Sequence, residues 1–156
     1  VLSAEAVPDT FDARISATRR YYIYRILDRR AQPALDANRV WHVPVRLDHE
    51  AMDRAAKALI GHHDFTTFRA AECQANSPLR TLDRFDCRRE GAEIVAYVHA
   101  RSFLHHQVRS MVGCLKMVGM GRWPENKVGK VLAARDRSQC AALAPPCGLY
   151  LAGVDY

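Results

Sequence analysis

The stretch Glu93-Ile94-Val95-Ala96-Tyr97-Val98-His99-Ala100 decides the fold of this chain. It is rich in β-branched and aromatic residues, and apolar side chains occupy both alternating sets of positions. This pattern predicts a strand with both faces covered. Residues 81–88 are also expected to form a strand, and the turn-forming Glu90-Gly91-Ala92 lies between the two stretches. We therefore expect two strands joined by a short turn.

Helical patterns lie on both sides of this strand pair. After it, apolar residues within residues 104–118 recur at helical spacing, and Gly119 favours an end there. Before it, residues 48–60 carry apolar residues at i, i+3, i+4, i+7 and i+8, with Asp48 as the expected N-cap. A third helix is expected over residues 124–134, because the missing N–H of its first proline does no harm in a first turn.

Further strands are predicted towards the two ends of the chain. Residues 20–27 are rich in tyrosine and isoleucine, and residues 40–45 favour a short strand. Residues 148–156 favour a last strand, with its leucines and Gly153 on one side. Strands interleaved with helices outside regular βαβ repeats predict an α+β fold, with a mixed or mainly antiparallel sheet and helices packed on one face.

Composition predicts one globular domain over residues 1–156. Hydrophobic residues make up 49% of the chain and charged residues 26%, as in ordinary soluble domains. No apolar run approaches the roughly 18 to 20 residues that cross a bilayer, and Val1-Leu2-Ser3-Ala4-Glu5 does not resemble a secretion signal. We expect a soluble, unsecreted protein with no membrane partner. The first residue is not Met, which is compatible with a truncated or processed chain.

The charge balance favours a polyanionic partner. Lysine and arginine total 23 against 17 acidic residues, for a formal net charge of +6. Arginines crowd around Tyr21, Tyr22 and Tyr24, and guanidinium groups suit phosphate oxygens while aromatic rings stack on bases. A solvated basic face explains the charge equally well.

The cysteines and histidines point away from metal or hydrolytic chemistry. The five cysteines show no metal-ligand spacing and are odd in number, which favours a reduced, cytosolic protein. His62-His63 and His105-His106 are adjacent pairs, whose side chains diverge on a strand or helix. No serine lies in a nucleophile-elbow motif. A metal-dependent hydrolase using the histidine pairs remains an alternative, and we expect no metal site.

Four stretches, in order, resemble the A family of tRNA pseudouridine synthases. Phe11-Asp12-Ala13-Arg14, followed by Arg20-Tyr21-Tyr22-Ile23-Tyr24, is similar to its Phe-His-Ala-Arg and basic-x-Tyr-x-Tyr segment. Gly61-His62-His63-Asp64-Phe65-Thr66-Thr67-Phe68 resembles its Gly-x-His-Asp-Phe-x-x-Phe stretch. Phe103-Leu104-His105-His106-Gln107-Val108-Arg109 resembles its Phe-x-His-x-x-Val-Arg helix, and residues 144–156 resemble its terminal strand. The resemblance covers essentially the whole chain.

The resemblance implies cofactor-free isomerisation of uridine to pseudouridine at positions 38, 39 and 40 of the tRNA anticodon arm. The target nucleotide must leave the base stack, which costs a few kcal/mol that pocket contacts offset. The nucleophilic aspartate of the family lies in a Gly-Arg-Thr-Asp type motif upstream of the first stretch, and this sequence does not contain it. We therefore expect a C-terminal domain that is inactive alone. Asp12 stands where the family has histidine.

The resemblance also implies a uridine pocket. Tyr22 matches a pocket tyrosine whose ring stacks on uracil and whose hydroxyl assists proton transfer. Arg109 matches an arginine expected to hold the missing aspartate ionised by a forked contact. Leu149 matches an apolar residue of the pocket wall. The alternatives are a core tyrosine, a surface arginine and a core leucine. Tyr24 is expected to be structural.

A second group of residues is expected to contact RNA. Phosphate contacts are assigned to four arginines: Arg14, Arg19, Arg20 and Arg69. His105 and His106 either bond RNA or cap the start of the following helix, and capping is preferred for at least one of them. The partners implied are tRNA and a second copy of the chain, in the cytoplasm. A noncatalytic RNA-binding module is the alternative function.

Overall fold

A six-stranded mixed sheet forms the centre of the molecule. The computed structural model describes residues 4–156, so the first three residues of the N-terminal stretch considered above lie outside it. The strands are β1 (Arg19–Leu27), β2 (Trp41–His42), β3 (Gly61–Asp64), β4 (Leu79–Glu90), β5 (Glu93–Ala100) and β6 (Leu149–Asp155). Their order is β2-β1-β5-β4-β3, and β6 also pairs with β1.

The hairpin of β4 and β5 confirms the two strands predicted from residues 81–100. Gly91 has a φ of +58°, the left-handed backbone that glycine adopts without strain in a tight turn. Cys87 pairs with Ala96 and Phe85 with Val98, so these four side chains share the buried face. The expectation that both faces of β5 are covered is only partly met, because Tyr97 and His99 on the other face are half-exposed.

Strand β1 has two different neighbours along one edge. Its first six residues pair with β6 in antiparallel register, whereas Ile26 and Leu27 pair with β2 in parallel. Because of a bulge between Tyr21 and Tyr22, Gly153 lies opposite Tyr21, whereas the leucines of β6 lie opposite tyrosines on the other face of β1. The prediction that Gly153 shares a face with the leucines of the last strand is therefore wrong. The predicted strand over residues 40–45 is confirmed only as the two residues of β2.

The three helices pack on one face of the sheet: α1 (His49–Ala56), α2 (Gln107–Gly119) and α3 (Lys127–Ala134). The Asp48 side chain accepts a hydrogen bond from Ala51 N, which confirms the predicted N-cap. The α-helical part of the first helix is shorter than expected, because a 3-10 turn occupies Lys57–Leu59.

The second and third helices begin three residues later than predicted. A turn precedes α2, in which Gln107 N donates to Leu104 O and Leu104 N donates to the Gln107 side chain. Before α3, Lys127 N donates to Pro124 O, so the proline lies in a separate turn. Apolar periodicity detects a helix but does not separate it from a preceding turn of similar pitch.

The helices and the sheet enclose one core, which confirms the α+β prediction. Fully buried side chains include Tyr24, Phe65, Phe68, Phe85 and Met111. All five cysteines are free thiols. Within residues 4–156, no helix combines the length and apolarity needed to cross a bilayer.

Candidate functional site

A hollow of about 1070 Å³ opens where the first half of β1 meets the start of α2. Its volume lies at the upper end of the range of roughly 300–1,000 Å³ for small-molecule sites. Of the described residues that line it, five are arginines and Glu72 alone is acidic. The arginines are Arg14, Arg20, Arg80, Arg101 and Arg109. The excess of guanidinium groups makes the hollow attractive to anions.

Tyr22 brings an aromatic ring to the wall of the hollow. Its ring packs edge-on against Phe103, with 5.1 Å between centroids, which limits its rotation. Among residues 4–156 no group hydrogen-bonds its hydroxyl. A half-buried ring whose phenol has no partner within the fold is suited to stack on a base and exchange a proton.

Arg109 enters the hollow from the first turn of α2. Its Nε donates to Ala144 O at 2.7 Å, and Ala144 N donates to Arg109 O at 3.3 Å. The Nε bond restrains the guanidinium, and the backbone bond holds Ala144 against α2. The two terminal nitrogens have no partner in the part of the chain that the structure describes, so they present a fork to a carboxylate or phosphate.

The segment that anchors Arg109 runs unusually close to α2. A Cβ added at Gly113 would lie 2.2 Å from Ala142 O, well inside van der Waals contact. Glycine therefore permits the close approach of helix and segment. The same segment leads to Leu149, the first residue of β6, which lines the hollow and packs against the core.

The arginines predicted to contact phosphate occupy different places. Arg14 and Arg20 line the hollow. Arg69 does not, but it donates to the carbonyls of Cys73 and Ala75 at 2.8 and 2.6 Å and so shapes the wall that they form. Arg19 lies apart from the hollow, with its Nε 3.4 Å from a carboxylate oxygen of Asp83.

His105 and His106 both line the hollow, with ring centroids 3.9 Å apart. His106 occupies the N-cap position of α2 with a φ of 62° and makes no side-chain capping bond. One of these histidines therefore stands at the capping position of the helix, as predicted, but it contributes no side-chain bond there. Burial, together with the nearby His105 and Arg109, lowers the pKa of His106, so it is neutral at pH 7.

Asp12, which departs from the family pattern, organises the loop that carries Arg14. Its carboxylate accepts hydrogen bonds from Arg14 N and Ile15 N at 2.8 and 2.7 Å, and Ser16 Oγ accepts one from Asp12 N. The backbone donors of Ile15 and Arg14 lower the pKa of Asp12. This aspartate therefore builds a turn of the kind that Asp side chains favour.

Sequence reasoning missed several residues that line the hollow: Arg80, Arg101 and Gln107. A basic residue directly after β5 was the available signal for Arg101. Gln107 is 1% exposed, and its Oε1 accepts from Leu104 N at 2.8 Å. No pattern of apolar residues distinguishes such a glutamine from a surface one.

The metal-dependent hydrolase alternative would use the pairs His62-His63 and His105-His106 as ligands. His62 Nδ1 lies 3.0 Å from Thr81 Oγ1, whereas His63 Nε2 lies 2.8 Å from Ile60 O. Within the described range 4–156 no three His, Cys, Asp or Glu side chains are grouped as metal ligands.

Comparison with known proteins agrees with the family resemblance. Residues 55–156 match the model of a family described as tRNA pseudouridine synthase. Over its full 156 residues the chain is 60% identical to tRNA pseudouridine synthase A of Xanthobacter autotrophicus and covers 64% of that protein. It is 60% identical to the enzyme of the same name from Mesorhizobium japonicum and 56% identical to that from Bartonella bacilliformis, covering 63% of each.

These matches identify the class of protein that carries this hollow. The chain is a member of the tRNA pseudouridine synthase family. It spans less than two thirds of the length of the relatives named above.

Proposed function

We propose that the protein containing this chain converts uridine to pseudouridine at positions 38, 39 and 40 of the tRNA anticodon arm. The meeting of Tyr22, Arg109 and Leu149 in one arginine-rich hollow carries this proposal. Three residues from distant parts of the sequence supply an aromatic platform, a forked cation and an apolar wall, which are the groups that a flipped uridine needs.

The reaction breaks the N1 glycosidic bond, turns the uracil and joins its C5 to the same ribose carbon, while the proton on C5 is lost and N1 gains one. Tyr22 stacks on the uracil, a contact of about 1–3 kcal/mol per base that offsets unstacking. Its free hydroxyl assists the proton transfer. Leu149 closes the apolar side of the pocket.

Arg109 orients the nucleophilic carboxylate, which comes from outside residues 1–156. A guanidinium fork held by Ala144 stabilises the ionised form of a neighbouring aspartate and fixes its direction. Arg14, Arg19, Arg20, Arg69 and His105 contribute to RNA contact, directly or by shaping the wall. The active protein is a cytoplasmic homodimer that requires no cofactor.

Pseudouridine formation on anticodon-arm RNA tests this proposal. The intact gene product and residues 1–156 alone are assayed side by side, together with an RNA that has cytidine at the three target positions. We expect product from the intact protein on the uridine RNA alone. Turnover by residues 1–156 alone would contradict the external carboxylate. RNA binding without turnover by the intact protein would favour a noncatalytic module, and stoichiometric zinc in the purified protein would favour a hydrolase.

A further inference from the structure

Two exposed arginines stand at the rim of the hollow. Arg14 lies in the loop before β1, and Arg101 follows the last residue of β5. Both line the hollow. Within residues 4–156 neither guanidinium has a hydrogen-bond or ion-pair partner. Five of the ten other exposed arginines of the described chain face a carboxylate, as Arg54 does with Glu125 at 2.8 Å.

A third arginine holds these two together. One terminal nitrogen of Arg20 donates to Arg101 O and the other donates to Arg14 O. The backbones of residues 14 and 101 are therefore joined through a single guanidinium group. Sheet register independently brings Arg20 next to Arg101, because Arg20 pairs with Ala100. Arg20 donates to backbone carbonyls of the fold. Of these three arginines, Arg14 and Arg101 are therefore the two whose guanidinium groups have no partner in the described chain.

Asp12 fixes the direction in which Arg14 leaves its loop. Its carboxylate accepts from Arg14 N and Ile15 N, which closes a turn around the arginine. The carboxylate is engaged with backbone donors, and no ion pair joins it to the Arg14 guanidinium in the described part of the chain. Asp12 thus positions a cation without pairing with it.

We propose that Arg14 and Arg101 form a clamp for RNA backbone phosphate beside the flipped nucleotide, assembled by Arg20 and Asp12. This inference rests on the proposed function. Both arginines line the same hollow as Tyr22, so a base stacked on that ring brings its own phosphodiester to the rim. Two forked donors without a counter-charge match the paired oxygens of phosphate. Phosphate contact fixes the position of the strand and carries no sequence information.

The clamp is tested by the salt dependence of RNA binding. Arg14→Gln, Arg101→Gln and the double variant of the intact gene product are titrated with anticodon-arm RNA over a range of salt concentrations. Each lost phosphate contact reduces the slope of log K against log salt by about 0.7 to 0.9. We expect each single variant to bind roughly three- to tenfold more weakly, with twice the slope change in the double variant.

Arg122→Gln is the matched control. Arg122 is exposed, lies beyond the far end of α2, and is about 20 Å along that helix from the hollow. The substitution changes net charge by the same amount, so it reports general electrostatic attraction. Slope changes in the clamp variants no larger than in Arg122→Gln would overturn the clamp.

Substitutions of Asp12 provide a second test, in which the change in net charge does not determine whether RNA affinity rises or falls. Asp12→Asn and Asp12→Ala remove the same negative charge, but only asparagine keeps an oxygen that accepts from Arg14 N and Ile15 N. We expect Asp12→Asn to bind RNA at least as tightly as the parent, and Asp12→Ala to match Arg14→Gln. Equal affinities for the two Asp12 variants would refute the positioning role.

Failure of the clamp and failure of the proposed function give different results. If the parent protein forms pseudouridine while the clamp variants keep its salt slope, the clamp alone is rejected. If the parent forms no pseudouridine while the clamp variants show a reduced salt dependence of RNA binding, the phosphate contacts are supported and the proposed chemistry is rejected. At saturating RNA the clamp variants should recover most of the parent turnover rate, since they weaken binding more than chemistry.

Discussion

The two halves of β1 carry tyrosines on the same face in opposite environments. Tyr24, in the second half, is 0% exposed and donates its hydroxyl to Pro145 O at 2.6 Å. Tyr22, two residues earlier, borders the hollow with an unpartnered hydroxyl in the described chain. The second half is closed by Pro145, Gly148 and Trp41, which pack around Tyr24, whereas the turn before α2 leaves the first half open. The layer above the strand therefore determines whether a tyrosine is structural or available for chemistry.

The largest expected effect lies just beyond the closed half, at Asp28. This carboxylate is 1% exposed, accepts from Leu47 N at 2.9 Å and receives two hydrogen bonds from Arg89. Asp28→Ala leaves Arg89 without its counter-charge and should lower the free energy of unfolding by about 3–5 kcal/mol. Urea denaturation measures this. Arg46→Ala removes only an exposed partner 3.7 Å away and should cost less than about 1 kcal/mol.

The Asp28 pair also predicts a pH dependence. Burial alone would raise the pKa of Asp28, but the bonds and charges of Arg89, with Leu47 N, outweigh it and hold the pKa below its ordinary value. A carboxyl whose pKa is lowered by folding stabilises the protein above its unfolded value of about 4, and this contribution is lost as the pH falls further. The stability gap between parent and Asp28→Ala should therefore narrow below about pH 4. A gap that stays constant to pH 2 would contradict the ion pair.

At the open half, Tyr22→Phe separates stacking from proton transfer. The ring remains and the hydroxyl is lost, so kcat should fall about 100-fold while RNA affinity changes less than about threefold. Single-turnover kinetics with saturating RNA and a binding titration measure the two quantities. Thermal unfolding should be unchanged, since this hydroxyl bonds no group in residues 4–156. Equal losses of turnover and affinity would remove its chemical role.

Tyr24→Phe is the matched change in the closed half and should have the opposite profile. Burial raises the pKa of Tyr24, so its hydroxyl remains a donor to Pro145 O throughout the working pH range. Its loss should lower the free energy of unfolding by about 1–2 kcal/mol and leave kcat within about twofold. A Tyr24→Phe variant of parent stability but impaired turnover would reverse the distinction between the two halves.

The smallest effect is expected at the start of α1, a helix that packs against β4 and lies outside the lining of the hollow. Asp48→Ala removes the acceptor for Ala51 N and should cost about 0.5–1 kcal/mol, measured by urea denaturation. Asp48→Asn retains an acceptor and should lose only a few tenths of that. Neither variant should alter RNA affinity, and a change in affinity would show that α1 communicates with the hollow.

Local patterns were sufficient to predict the hairpin of β4 and β5 and the helix α1. The alternation of β4 and β5 around Gly91, and the apolar spacing and N-cap of α1, are properties of neighbouring residues, so the sequence displays them directly. Family motifs selected Tyr22 and Arg109 as pocket residues, and the fold brings both to one hollow, although their roles remain predictions.

The rim of the hollow could not be predicted in the same way. Its form depends on the bonds from Arg20 to the carbonyls of Arg14 and Arg101, and donor geometry between residues 81 positions apart leaves no periodic signal. The parallel pairing of β2 and the bulge opposite Gly153 likewise depend on how β2 and β6 share one edge of β1. Arg69 and Arg101 are both arginines, yet Arg69 donates to loop carbonyls, whereas the side chain of Arg101 has no partner among the described residues.

Because Gly113 lies so close to the neighbouring segment, adding a single methyl group at this position would disturb the site. Alanine is ordinarily the mildest replacement for a helical glycine and often raises stability. Here the added carbon would meet the carbonyl of Ala142, in the same short segment whose Ala144 steadies Arg109. The usual replacement of glycine by alanine to make a helix more rigid is therefore unsuitable at position 113, and substitutions meant to stabilise α2 belong at other positions.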